Sequence, residues 1–96
     1  MRNKISKNAS VDVQKEPELG SKYFNGDGAK QDYAKAVEHF TAAAFAGNAV
    51  AQFMLGNCYA LGMGVKQKPA KAAWWFTHAA EQGHGKAREI LQRLRP

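Results

Sequence analysis

The sequence predicts an all-α protein: a short α/α superhelical solenoid of two helix-turn-helix repeats followed by a C-terminal capping helix. Three observations predict it. A shift of 36 residues lays Leu19-Gly20-x-x-Tyr23 on Leu55-Gly56-x-x-Tyr59, and the register holds without a gap to Ala51 on Ala87, with about half the positions identical. Within each copy, apolar residues recur at helical spacing and form one face. Glycines stand between those runs, Gly26 and Gly28 in one copy and Gly62 and Gly64 in the other, where a helix stop needs residues tolerant of positive φ.

The elements follow in order. Residues 1–15 are read as a basic arm, with Arg2, Lys4, Lys7 and Lys15, whose composition predicts mobility. Residues 16–48 form the first repeat, 49–84 the second and 85–96 the capping helix. In the second repeat the first helix spans roughly Ala49 to Leu61, with Ala51, Leu55 and Cys58/Tyr59 as its stripe. Its counterpart lies near Glu16 to Asn25, shortened to begin near Pro17. The second helix spans roughly Pro69 to Gln82. Pro69 suits a first turn, where its missing N–H costs nothing, and Asp32 is the candidate N-cap in the other copy. Ala36, Ala43 and Ala44, with Ala72, Ala79 and Ala80, permit close helix approach, and Tyr23/Tyr59 and Phe40/Phe76 are expected between hairpins. A last helix, about Lys86 to Arg95, sets Ala87, Ile90, Leu91 and Leu94 on one face and a basic, polar outer face on the other, as a solenoid end requires.

The pattern A-x-x-x-L-G-x-x-Y-x-x-G-x-G followed by A-x-x-W-F-x-x-A-A-x-x-G resembles the Sel-one-like repeat family, relatives of tetratricopeptide repeats. The matching residues are Ala51, Leu55, Gly56, Tyr59, Gly62, Gly64, Ala72, Trp75, Phe76, Ala79, Ala80 and Gly83, and the resemblance spans about Leu19 to Leu94. It implies an α/α superhelix acting as an adaptor or scaffold, many members being bacterial. Two departures stand out: Lys15 takes the place of the family alanine and Pro17 interrupts the first helix, and Cys58 has no partner at a matching position. Some secreted relatives carry a cysteine pair in each repeat, and a few were linked to penicillin binding or β-lactam hydrolysis. The lone cysteine argues against carrying that subtype over.

Composition and chemistry narrow the function. A chain of 96 residues with 45% hydrophobic and 23% charged residues suits one small globular domain. A single cysteine excludes an intramolecular disulfide. No apolar run is long enough to cross a bilayer, and the first residues show no apolar stretch of a secretory signal, so a cytoplasmic protein is expected. A net charge of +6, concentrated in the arm and last helix, admits an acidic or nucleic-acid partner. The lysines are not interleaved with stacking aromatics, which ranks nucleic acid second. Cys58 has no histidine at i±3 or i±4 and reads as a buried structural thiol. His39, His78 and His84 are not spaced as a metal pair, Asp27 and Asp32 become Met63 and Lys68 in the other copy, and Gly26-Asp27-Gly28 is not followed by a phosphate-loop Lys-Ser/Thr. Neither a catalytic constellation nor a cofactor is predicted.

The remaining signal is for a protein or peptide partner. Trp75 belongs to the repeat pattern, whereas Trp74 lies about 200° round the helix from Ala72 and Phe76. The counterpart of Trp74 is Glu38, and that of Phe45 is Glu81, both surface choices. Trp74 and Phe45 are therefore expected to face a partner, since exposed aromatics favour interface hot spots. Gln52, Phe53 and Asn57, on the first helix of the second repeat, are expected to line a concave groove. Two repeats fall below the usual minimum of about three for an independent array, which points to self-association or a partner.

Overall fold

The computed structural model describes residues 15–94, and the expectation for the N-terminal arm falls, Lys15 excepted, outside them. Five helices follow one another: α1 (Glu16–Asn25), α2 (Tyr33–Phe45), α3 (Ala49–Leu61), α4 (Pro69–Glu81) and α5 (Gly85–Leu94). Strands are absent among the described residues. Each helix packs on its neighbours in the chain, so α1/α2 and α3/α4 form two hairpins and α5 closes onto α4.

Local chemistry sets the boundaries. Asp32 caps α2 by accepting from the Lys35 N–H at 3.0 Å, and Asn48 caps α3 by accepting from the Ala51 N–H at 2.8 Å. Lys68 precedes α4 without a side-chain cap, and Pro69 opens that helix instead. Helices α1 and α3 end alike, on Gly26 and Gly62 in the left-handed region (φ 72° in each), with their N–H groups bonded to the Lys22 and Cys58 carbonyls. The loops that follow are also duplicates: Gln31 Nε2 donates to the Phe24 carbonyl and Gln67 Nε2 to the Ala60 carbonyl, each at 2.8 Å. The 36-residue repeat in sequence is thus repeated in the helix stops and loop bonds, while the caps of α2 and α4 differ.

Each hairpin closes on one aromatic ring. Phe40 and Phe76 are fully buried, and each packs closely against a glycine of the facing helix. A Cβ placed at Gly20 would come within 2.6 Å of Phe40, and one at Gly56 within 2.6 Å of Phe76. These rings therefore fill the inside of each hairpin, not the gap between hairpins that the sequence suggested. The gap between hairpins is filled by Cys58, Leu55 and Trp75 against Ala36, Ala43 and Ala44, with Tyr23, Phe24, Met63 and Val65 partly buried around them. A second cluster joins Ala72, Phe76, Ala79 and Ala80 to Ala87 of α5, with Ile90 and Leu91 at its border. The small alanines let backbones approach so that few large side chains fill the interior.

Candidate functional site

Two surfaces stand out once the core is assigned. The first lies where the end of α2 meets α4. Trp75 is buried there, as its place in the repeat requires, and carries two exposed aromatics on its edges. Phe45 is 72% exposed and meets Trp75 edge-on at 5.0 Å between centroids; Trp74 is 51% exposed and meets it edge-on at 4.8 Å. His78 completes the group, 4.2 Å from the Trp74 ring. These rings, with Ala44 and Gly47, border a shallow depression of about 170 Å³. Edge-to-face packing of this kind favours the observed ring orientations, so Trp74 and Phe45 form one continuous aromatic surface on Trp75. Trp74 leans on Trp75 and His78 within its own helix.

Gln52, expected to line an open concave groove, borders this depression but is almost wholly buried. It is 6% exposed, donates from Nε2 to the Ala44 carbonyl at 3.1 Å and accepts on Oε1 from Gln82 Nε2 at 3.0 Å. Gln82 Nε2 also donates to the Gly47 carbonyl at 2.8 Å. The physical reason is the end of α2, which brings backbone carbonyls into the junction between hairpins, and buried acceptors are satisfied by donors. Its counterpart Glu16 does a parallel job: it is buried and lies 2.5 Å from Nδ1 of His39, whose ring stacks on Tyr23. The sequence held a signal for this, since Glu16/Gln52 and His39/Trp75 differ together between copies.

Phe53 is half-buried, stacked on His84 at 4.5 Å and tilted against Phe76 at 5.9 Å, so it ties α3 to the approach of α5. Asn57 lies on the second surface. This is an apolar groove of about 280 Å³ between α3, α4 and α5, floored by Phe76 and Ala72 and walled by Ala60, Pro69, Ile90 and Leu94. Asn57 and Leu61 stand on its rim. Asn57 thus borders an apolar groove that the residue spacing does not announce.

Chemistry of a catalytic kind finds no support in Cys58. Its side chain is fully buried, and burial pushes its thiol up to about 11, away from a reactive thiolate. Among the described residues no three His, Cys, Asp or Glu side chains gather as a metal site, and no helix is long and apolar enough to cross a membrane.

The sequence model of the Sel1 repeat matches residues 18–48 and 49–84, the two hairpins. Comparison with curated protein sequences gives no match. Among solved structures, the chain resembles a Sel1 repeat protein from Oxalobacter formigenes, at 36% identity and a TM-score of 0.84 over 86% of this chain and 62% of that one. It also resembles c5321, a protective antigen of uropathogenic Escherichia coli strains displaying an SLR fold, at 44% identity and a TM-score of 0.77 over 78% of this chain and 16% of that one. The chain thus spans less than two thirds of either relative. Sel1 repeat proteins commonly mediate protein–protein interactions. With both hairpins matched by the repeat and the same fold found in these relatives, the chain belongs to the Sel1 repeat family.

Proposed function

We propose that this protein is a non-catalytic interaction module, an adaptor or scaffold, and that it engages a protein partner through the Phe45–Trp74 surface. The observation that carries the reading is the pair of exposed rings fixed on buried Trp75. Packing does not require them, because the sibling copy places Glu81 and Glu38 at the same positions and forms the same fold there. Large rigid aromatics lose little side-chain entropy on binding and dominate interface energetics. Of Gln52, Phe53 and Asn57, Asn57 borders the apolar groove, Phe53 packs on Phe76 and His84, and Gln52 is buried.

The test is capture of partners from host lysate with the wild-type chain, Trp74→Glu and Trp74→Ala, with circular dichroism as the folding control. Trp74→Glu installs the residue that the other copy carries, so the helix content is expected to be unchanged. A partner bound through this surface is expected to lose at least about 2 kcal/mol, roughly thirtyfold in affinity. Retention of every captured protein by both variants refutes the assignment.

A further inference from the structure

The duplication supplies an internal control for the apolar groove. Moved back by 36 residues, its lining positions become Phe24 for Ala60, Tyr33 for Pro69, Phe40 for Phe76, Met54 for Ile90 and Cys58 for Leu94. At that first junction the space is filled. Phe24 packs on Tyr33 at 5.1 Å and on Phe40 at 6.2 Å, Met63 and Val65 join the cluster, and Cys58 is 0% exposed. At the second junction two aromatic rings have become alanine and proline. Leu94 stands at its wall with 60% of its surface exposed. The groove is thus a socket in which two rings of the first repeat give way to smaller side chains.

The charges around it choose the occupant. Head-to-tail stacking of a second copy would bring the outer face of α1 to this socket. That face presents Glu18, Ser21, Lys22 and Asn25, where α3 uses Met54, Asn57, Cys58 and Leu61. Polar groups buried there without partners would oppose the contact. Two-fold pairing would set α5, with Lys86, Arg88 and Arg93 against one Glu89, beside its own basic copy. The charged residues flanking the lining positions in sequence are Lys68, Lys71, Arg93 and Arg95, opposed by Glu89 alone, and the whole chain carries +6. We propose that the groove between α3, α4 and α5 receives an acidic amphipathic helix of another protein, anchored by an aromatic or leucine side chain in the space that Phe24 fills in the first repeat. This goes beyond the Phe45–Trp74 surface, since Trp74 lies about 200° round α4 from Ala72 and Phe76.

The probe is a synthetic 15-residue helix with Phe and Leu at i, i+3, i+4 and i+7 and glutamate elsewhere, titrated into the ¹⁵N-labelled full chain. Chemical shifts are expected to move at Ala60, Ala72 and Ile90. Ala60→Phe, which restores the ring of the first repeat, is expected to weaken binding at least tenfold with the helical dichroism and thermal midpoint retained. If that variant misfolds, Leu94→Glu at the exposed wall serves, with the same loss expected. A lysine-for-glutamate version of the peptide is expected to bind at least tenfold more weakly. The proposal is overturned by no binding up to about 1 mM, by equal affinity for the two peptides, or by full affinity in both variants. It is also overturned by a wild-type dimer that Ala60→Phe converts to monomer, or by shifts confined to residues 1–14. Trp74→Glu is expected to leave peptide binding unchanged, so this proposal and the aromatic surface fail separately.

Discussion

Replacing Gly56 with alanine sets two effects of opposite sign against each other in the middle of α3. Helix propensity favours the change by about 0.5–1 kcal/mol, because alanine loses less backbone entropy than glycine. The new Cβ, however, would lie 2.6 Å from Cε1 and 2.7 Å from Cδ1 of Phe76. That ring is 2% exposed and is held inside its hairpin, where it floors the apolar groove. Overpacking of this kind costs about 1–3 kcal/mol, so a net loss of about 1–2 kcal/mol is expected. For a domain of this size that lowers Tm by about 4–16 °C. Urea unfolding of Gly56→Ala, Phe76→Leu and the double variant measures the cause directly. With the ring shortened, the methyl has room, and the double variant is expected to be more stable than the sum of the singles by about 1 kcal/mol. Gly83→Ala is the control: its φ of 93° strains the backbone but nothing lies within 4 Å, so Phe76→Leu should not rescue it. Additive losses at Gly56, or a gain from Gly56→Ala alone, would refute the close approach as the reason for glycine there.

Further outcomes follow from the buried polar and thiol groups. Gln52→Ala is expected to cost about 1–3 kcal/mol in urea unfolding, since it removes the donor to Ala44 and the acceptor of Gln82, whereas Gln82→Ala should cost less because Gln52 keeps its bond to Ala44. At pH 8, Cys58 in the folded chain is expected to react with a disulfide reagent about a hundredfold more slowly than in urea, because the thiol moves from its ordinary 9.0 to about 11. The folded-state value is the higher one, so stability from this group is intact below pH 9.0 and is lost as pH rises through about 11, by up to about 2–3 kcal/mol. Cys58→Ala should flatten that part of the pH profile.

The fold was legible because its determinants are local and occur twice. Gly26 and Gly62, Asp32, Pro69 and the alanine runs announce stops, starts and close approaches within a few residues of where they act. Trp74 was separable from Trp75 for the same reason: the sibling copy offers Glu38 beside His39. Gln52 misled because a polar residue on a helix usually marks its wet face. Its partners, the Ala44 carbonyl and Gln82, come from neighbouring helices and leave no trace in the spacing around it. The placement of Phe40 and Phe76 misled differently. Their identity was plain, but only the glycine opposite decides whether such a ring sits within a hairpin or between two. The groove escaped notice because it is made of missing atoms, Ala60 and Pro69 in place of two rings, and periodicity registers what is present.

Divergence between the copies therefore sorts into two kinds. Some pairs change together and stay satisfied: Glu16 with His39 in one repeat becomes Gln52 with Trp75 in the other, and Glu16 and Gln52 are both buried and both hydrogen-bonded. These changes preserve the interior and say little about use. Others change alone and leave apolar surface facing water, as Glu38 to Trp74 and Glu81 to Phe45 on one side and Phe24 to Ala60 on the other. A repeat that had only to fold would gain nothing from them, since its sibling solves the same packing problem without exposing those surfaces. The uncompensated differences are the positions on which the two proposed partner surfaces rest.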